Sequence, residues 1–320
     1  MAVLIGIDVG GTNLRLGVVD FDECKTVNQL LLIEEKRFNT DFSNFCKNNN
    51  PEQAWSAILN ETASAIDSLR VKYPRISAVG IGFPGFIDPV TQKISQSPNL
   101  PGLSDVDLST DLSRLVELPV ITENDALAAA YGEYATRSDH INNLIYLGLG
   151  TGVGGGLILN GQPFQGQHGV AMEVGHITVV ESGRLCGCGN QGCMEQYSSA
   201  SGVAISYFEA TGLRLSAHEI ANQAYKGNVD AIASYQLAGK SLAQALVSIL
   251  KVIDISEVVI GGGMSGAWSL LSPAFYDQLN KDLIPTLRGK VNVSISAMGD
   301  QAGIIGAAML AQRGMLSRIK

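Results

Sequence analysis

The sequence predicts an α/β fold made of two similar halves, and three observations support this expectation. Residues 4–19 and 144–159 each contain a short apolar run, a glycine-rich turn and a second apolar run, which is the pattern of two strands joined by a tight turn. Between and after them, strand-length apolar runs alternate with segments of helical periodicity, as in sheets covered by helices on both faces. The 320-residue chain is long enough for two domains.

The other elements follow from apolar spacing and from residues typical of helix starts. Asn50 is a suitable N-cap, and Pro51 is a suitable first residue for the helix that follows. In chain order we expect a helix over 51–73, strands over 76–83 and 118–122, a helix over 126–135, a long amphipathic helix over 230–252, a strand over 258–260 and a closing helix over 302–312.

Composition excludes some classes of function. The chain has 22 basic and 30 acidic residues, a net charge of −8 without a basic block, so nucleic acid is not an expected partner. The longest uncharged apolar stretch, residues 144–159, is shorter than the roughly 20 residues that a membrane span needs and is interrupted by glycines. No basic, apolar leader opens the sequence, so we expect no membrane partner and a cytoplasmic location.

The two glycine-rich turns are candidate phosphate sites. Gly10, Gly11, Gly150 and Gly152 let the backbone approach a bulky anion, and the N–H groups of such turns can surround phosphate oxygens. Either turn alone is equally compatible with an ordinary hairpin, but two copies favour a nucleotide. The side chains that add to this expectation are the Thr12 and Thr151 hydroxyls, the Arg15 charge and the Asp8 carboxylate, with Gly262 and Gly263 as a third backbone element near the nucleoside.

A cluster of metal-binding residue types is the strongest local signal. His176 is followed by Cys186, Cys188 and Cys193, with glycines between the cysteines. Imidazole and thiolates form the ligand set that selects tetrahedral Zn²⁺, and four protein ligands leave no position for a catalytic water. We therefore expect a structural zinc rather than disulfides.

Three carboxylates near these motifs are candidates for substrate chemistry. Glu173 and Glu195 flank the cluster and could accept hydrogen bonds from sugar hydroxyls, although surface ion pairs are an equally simple explanation. Asp125 precedes the helix predicted over 126–135. It could accept a proton from an alcohol during phosphoryl transfer or could cap that helix, and spacing alone leaves both roles open.

Together these motifs resemble those of the ROK family of sugar kinases over nearly the whole chain. The matching segments are 8–13 (DVGGTN), 124–126 (NDA), 148–156 (GLGTGVGGG), 173–176 (EVGH), 186–195 (CGCGNQGCME) and 261–263 (GGG).

The resemblance implies a two-lobed, actin-like ATPase fold of the ribonuclease H-like class, with MgATP in an interdomain cleft. It implies a smaller lobe over 1–122, completed by the C-terminal helix over 301–320, and a larger lobe over 123–300 that carries the zinc knuckle. The implied reaction is phosphorylation of the 6-hydroxyl of a hexose or N-acetylhexosamine. A homodimer is also expected by resemblance.

The resemblance also assigns roles to individual residues. Asp125 would be the general base, and His176 would both ligate zinc and face the sugar. The implied sugar-binding residues are Gly85, Asn99, Asn124, Asp125, Glu173, His176 and Glu195. The implied residues around ATP and Mg²⁺ are Asp8, Gly10, Gly11, Thr12, Asn13, Arg15, Thr151, Gly152, Gly262 and Gly263.

The resemblance also implies an order of candidate substrates. Glucose is the first expectation, followed by N-acetylglucosamine, N-acetylmannosamine, mannose and fructose. Many glucose-specific members carry a tryptophan shortly after the loop that here is Pro98–Leu100, and this chain continues with Pro101 and Gly102 instead. The related sugar-responsive repressors carry an N-terminal DNA-binding segment, whereas the first hairpin begins here at Leu4, so an enzyme is expected.

Overall fold

The computed structural model describes residues 3–10, 13–21, 31–97, 100–139 and 141–317. The predicted site residues Gly11, Thr12 and Asn99 lie outside these ranges. The chain divides into two compact units. The first unit contains residues 1–142, 156–171 and 300–320, and the second contains residues 143–155 and 172–299.

The described elements alternate strand and helix along much of the chain. The strands are β1 (Val3–Val9), β2 (Asn13–Asp20), β3 (Leu31–Asn39), β4 (Ile76–Phe83), β5 (Phe86–Ile87), β6 (Ile94–Gln96), β7 (Val120–Asn124), β8 (Leu144–Leu149), β9 (Val153–Leu159), β10 (Gln162–Pro163), β11 (Glu257–Gly261) and β12 (Asn292–Ile295). The helices are α1 (Phe42–Asn48), α2 (Pro51–Arg70), α3 (Leu108–Val116), α4 (Asp125–Ala135), α5 (Glu195–Ser198), α6 (Ala200–Thr211), α7 (Ala217–Tyr225), α8 (Val229–Ile253), α9 (Trp268–Asp282) and α10 (Gln301–Ser317).

The main sheet of the first unit has the order β3-β2-β1-β4-β7. Strands β1, β4 and β7 are parallel, while β2 and β3 are antiparallel to their neighbours. The carboxyl ends of the three parallel strands therefore lie at one edge, the usual place for a site in an α/β sheet. In this register Asp8 pairs with Gly82, and Gly82 pairs with Glu123.

Helix α10 packs on the same sheet at two glycines. Gly6 and Gly80 are register partners on β1 and β4, and a Cβ on either would overlap a backbone carbonyl of α10, that of Ile304 or of Ala307. The missing side chains allow the helix backbone to lie directly on the strands. This close packing brings the start of α10 beside the end of β1.

The second unit is built on parallel strands and long helices. Strand β8 is parallel to β11, which is parallel to β12. Strand β9 borders β8 in the order β10-β9-β8-β11-β12, and it continues from the second unit into the first, where β10 pairs with its end. Helices α8 and α9 pack against each other within the second unit.

The structure confirms the predicted α/β class and most of the predicted elements. Helix α2 begins at Pro51 with the Asn50 side chain accepting from the Gln53 N–H at 2.9 Å, as expected for an N-cap. It ends at Arg70 rather than at residue 73, and Pro74 disfavours helical backbone at Tyr73, so the helix cannot extend through that residue. The resemblance implied a larger lobe over 123–300, whereas residues 123–142, 156–171 and 300 group with the first compact unit. Among the described residues, no helix is both long and apolar enough to cross a bilayer.

Candidate functional site

The first glycine-rich turn joins β1 to β2 and is supported by a buried arginine. The Gly10 N–H donates to the Asn13 carbonyl at 2.7 Å. Arg15 lies opposite Asp8 in the β1–β2 register, and its Nη1 is 3.9 Å from the Asp8 carboxylate. Nη1 also donates to the Asp300 carbonyl at 2.9 Å, and Nη2 donates to Glu35 Oε1 at 2.7 Å. The predicted cationic group at this turn is therefore fixed by three neighbours from other parts of the first unit.

Asp8 has a strongly perturbed acidity. Burial raises its pKa to about 6, and the nearby positive charge of Arg15 partly opposes this shift. The first turn of α10 passes beside the carboxyl group, since a Cβ on Gly303 would lie 3.5 Å from Asp8 Cγ. A cation bound at this carboxylate would favour its ionised form, as positive charge does for buried acids.

The junction between β7 and α4 separates the two roles that the sequence left open for Asp125. Asn124 is the N-cap of α4, with its side-chain oxygen accepting from the Leu127 N–H at 3.0 Å. Its side-chain amide donates to the Gly85 carbonyl at 3.2 Å. Asp125 is the first residue of the helix and accepts from the Ala126 N–H at 2.8 Å. The structure thus gives the capping position to Asn124 and holds Asp125 at the carboxyl edge of the sheet.

Glu123, just before this pair, was not singled out from the sequence. Its carboxylate is buried, and it accepts from the Asn124 N–H at 2.9 Å and from the Gln165 side-chain amide at 2.7 Å. Burial raises the pKa of Glu123 to about 7, although both hydrogen bonds favour the ionised form. Gln165 therefore joins the segment after β10 to the end of β7.

The second glycine-rich turn joins β8 to β9. The Gly150 N–H donates to the Gly152 carbonyl at 2.9 Å. The next N–H, that of Val153, donates to Glu195 Oε2 at 2.9 Å. Gly262 has a φ of +78° and lies against the backbone of Leu149, so a Cβ there would overlap it. The second unit therefore brings Thr151, Gly152, Gly262 and Glu195 into one neighbourhood.

The predicted metal ligands converge in the same unit. One donor atom from each of His176, Cys186, Cys188 and Cys193 lies within 4.8 Å of the others. The Cys188 and Cys193 sulfurs are 3.7 Å apart, and the Cys186 sulfur is 3.6 Å from His176 Nδ1. Burial and the neighbouring thiols raise the pKa of Cys193 to about 12. A bound cation would reverse that preference, because a coordinated thiol loses its proton.

The histidine ring presents its two nitrogens to different partners. Nδ1 lies toward Cys186, while Nε2 is 3.7 Å from Glu173 Oε2. Burial raises the pKa of Glu173, and the Glu195 charge also raises it, whereas His176 lowers it. The arrangement holds the imidazole between a thiol and a carboxylate, which fixes its orientation.

Arg184 anchors the loop that carries the cysteines, and the sequence analysis missed it. Its guanidinium donates to the Gln196 carbonyl at 2.6 Å and to Ser206 Oγ at 3.0 Å, and it lies over the Tyr197 ring at 4.5 Å. It also forms an ion pair with Glu209. Nothing in the spacing of residues 184–209 distinguishes these contacts from ordinary surface pairs, so no local signal could have found them.

Comparisons with known proteins show the family of the chain and solved structures with a similar fold. The model of the ROK family matches residues 4–314. The glucokinase of Streptomyces coelicolor is 32% identical over 331 aligned residues, covering 98% of each chain. The N-acetyl-D-glucosamine kinase of Salmonella arizonae is 33% identical over 320 aligned residues, covering 95% of this chain and 98% of the relative. A crystal structure of a ROK family glucokinase from Streptomyces griseus, in complex with glucose and AMPPNP, is 30% identical. It aligns with a TM-score of 0.81, covering 98% of this chain and 100% of that one.

Proposed function

The chain belongs to the ROK family, and on this premise we propose that it is a sugar kinase that transfers the γ-phosphoryl group of ATP to the 6-hydroxyl of a hexose. Glucose is the first-choice substrate, in agreement with glucokinase relatives that match almost the whole chain. The Streptomyces griseus glucokinase binds glucose and AMPPNP, which supports ATP as the donor here.

The observation that best supports this reaction is the division of roles between Asn124 and Asp125 at the junction of β7 and α4. Because Asn124 caps α4, the Asp125 carboxylate is not needed to start the helix. We assign Asp125 the role of general base that accepts the proton of the sugar hydroxyl during phosphoryl transfer. Gly85 and Asn124 would contact the sugar from the same edge, since the Asn124 amide already bonds the Gly85 carbonyl.

The nucleotide side of the proposal uses backbone from both glycine-rich turns. Asp8 is the candidate for holding Mg²⁺, because this ion prefers oxygen ligands and would stabilise the ionised form of a buried carboxylate. Mg²⁺ would neutralise charge on the phosphates. The other described residues assigned to ATP are Gly10, Asn13, Arg15, Thr151, Gly152, Gly262 and Gly263.

The donor set in the second unit fits zinc. Tetrahedral coordination with Zn–S bonds of about 2.3 Å places two sulfurs about 3.8 Å apart, and the Cys188–Cys193 separation is 3.7 Å. His176, through Nδ1, and the three cysteines would hold the ion, which would supply structural rather than catalytic chemistry. Its effect on function would be to fix the imidazole whose Nε2 lies near Glu173.

The side chains of the second unit that are assigned to the sugar can accept hydrogen bonds from hydroxyl groups or donate hydrogen bonds to them. Glu173, His176 and Glu195 are assigned to the ring hydroxyls of the hexose. Such bonds discriminate strongly, because a sugar that lacks the matching hydroxyl leaves a buried polar group without a partner.

N-acetylglucosamine is the second candidate substrate. The Salmonella arizonae N-acetyl-D-glucosamine kinase matches this chain at 33% identity, as well as the glucokinases do. The two substrates differ at one ring position, so the choice depends on loop geometry around that position.

A panel of sugars tests the proposal directly. Glucose, mannose, fructose, N-acetylglucosamine and N-acetylmannosamine are assayed for ATP-dependent phosphorylation, with polyphosphate as an alternative donor. We expect glucose to give the highest kcat/KM. A higher value for N-acetylglucosamine would select the second candidate, and ATP turnover that does not respond to any hexose would reject the kinase assignment. Sedimentation of the same sample tests the expected homodimer.

A further inference from the structure

The side chain of Glu195 rests against the second glycine-rich turn. Its Oε2 accepts the Val153 N–H at 2.9 Å. A Cβ on Gly152 would overlap that same oxygen and lie 3.2 Å from the carboxylate carbon. A Cβ on Gly175 would lie 3.4 Å from Glu195 Cβ. Backbone without side chains therefore borders this carboxylate on two sides.

The two glycines of the turn differ in what they make room for. Neither Gly150 nor Gly152 has a positive φ, so backbone angle does not require glycine at either position. A Cβ on Gly150 would meet no atom closer than 4.0 Å. The space beside Gly152 is instead occupied by the carboxylate of Glu195, a residue that binds the sugar under the proposed function.

The hydrogen bond also limits what this turn can offer to a phosphate. The Val153 N–H is already used by a carboxylate oxygen, so it is not a free donor. A carboxylate that accepts a backbone N–H is restricted in rotation, and its other oxygen keeps a defined direction. The turn assigned to the nucleotide thus also orients a side chain assigned to the sugar.

We propose that Gly152 and the Val153 N–H position Glu195 for the sugar, so that Gly152 is a positioning residue for hexose binding rather than only a glycine that admits phosphate. This inference rests on the proposed function for the identity of the ligand. Its physical consequence is that an added methyl group at residue 152 weakens hexose binding even when no nucleotide is present.

The matched variants are Gly152→Ala and Gly150→Ala, which add the same methyl group to the same turn. The measurement is calorimetric titration with glucose, or with the best hexose of the panel, in the absence of nucleotide. We expect Gly152→Ala to raise the dissociation constant about ten- to hundred-fold, the range for losing a hydrogen bond to a charged group. We expect Gly150→Ala to stay within about twofold of the parent protein on the same scale. Unchanged affinity in Gly152→Ala, or equal losses in both variants, would overturn the proposal.

A second measurement separates this inference from the proposed function. Hydrogen exchange of the Val153 amide should accelerate in Glu195→Asp, whose shorter side chain withdraws the acceptor, and in Gly152→Ala, but not in Gly150→Ala. Accelerated exchange in a protein that binds no hexose would reject the sugar assignment while supporting the contact. Exchange that is the same in all variants would reject the positioning role itself.

Discussion

The two units hold their candidate functional groups in different ways. In the first unit, Asp8 and Asp125 lie at the ends of parallel strands, where sheet register and the start of α4 determine their positions. In the second unit, Glu173 and His176 lie at the two ends of a single 3-10 turn (Val174–His176), in a segment between β10 and α5 that otherwise contains little regular structure. Regular backbone positions the first set, whereas a cluster of side chains that suits a metal ion positions the second.

This difference predicts different consequences of mutation. Side chains held at the ends of strands keep their positions when one of them is replaced. The substitution therefore removes only the chemical contribution of the replaced side chain. Groups fixed by a cysteine cluster shift together when one ligand is removed. The first unit should therefore show changes in kcat with binding preserved, and the second should show losses of metal and sugar affinity together.

The largest expected effect is that of Asp125→Asn. The substitution keeps the size of the side chain, and the cap of α4 remains because it belongs to Asn124. We expect kcat to fall about 10²- to 10⁴-fold, the usual contribution of a general base, with the sugar dissociation constant almost unchanged. Rapid-quench kinetics and calorimetry on the same preparation measure both quantities. Turnover close to that of the parent protein would remove Asp125 from the chemical step.

Cys188→Ser should give the opposite pattern. We expect loss of the bound metal and a hexose affinity lower by about ten- to hundred-fold, because His176 loses the ion that fixes its ring. Elemental analysis and calorimetry measure the two losses. Cys46→Ser is the control, since Cys46 is buried on α1 in the first unit and lies outside the cluster. Full hexose affinity in a metal-free Cys188→Ser protein would contradict the link between metal and sugar.

Arg15→Met tests whether the arginine acts on the nucleotide directly or through Asp8. The Arg15 charge lowers the pKa of Asp8, which burial raises to about 6, so its removal should raise that pKa further. If ionised Asp8 is required, kcat/KM falls as the pH decreases through this value, and the fall begins at higher pH in the variant. Glu35, Arg37 and Asp300 also act on Asp8, so Arg37→Met serves as the matched control and should give a smaller shift. An unshifted acid limb in Arg15→Met would favour a direct role at the phosphates.

The sequence predicted the parts of both units whose residues lie close together along the chain. The glycine-rich turns, the Asn124–Asp125 pair and the histidine–cysteine cluster each fall within a short segment whose composition indicates its chemistry. The choice of cap was not predictable, because asparagine and aspartate are both favoured and only the backbone shows which residue precedes the helix.

The supporting contacts were not predictable, because they join distant segments. Arg15 bonds Glu35 across 20 residues and the Asp300 carbonyl across 285, while Glu195 bonds the Val153 N–H across 42. Glu35, Asp300 and Glu195 are of residue types that are common on protein surfaces, so their types alone do not single them out. The register of β2 with β3, the packing of α10 on the sheet and the path of the loop before α5 bring these groups together.

The smallest expected effect concerns Glu123 in the first unit. Burial raises its folded-state pKa to about 7, whereas a glutamate in an unfolded chain has a pKa of about 4.3. Between these values the unfolded chain releases a proton that the folded chain retains, so the contribution of Glu123 to stability decreases as the pH rises. Glutamine carries no such proton. We therefore expect the free energy of unfolding of Glu123→Gln, relative to the parent protein, to increase by about 1–3 kcal/mol between pH 5 and pH 8.

Urea unfolding at the two pH values measures this difference, with Glu61→Gln as the control because Glu61 is an exposed glutamate on α2. If the free energy of unfolding of the variant relative to the parent does not increase with pH, the Glu123 carboxylate is ionised in the folded protein throughout this range. Metal content should be the same in the parent and the variant, because Glu123 bonds only Asn124 and Gln165 among its described hydrogen-bond partners, both in the first unit. A loss of metal in Glu123→Gln would show that a substitution in the first unit affects the metal-binding residues of the second.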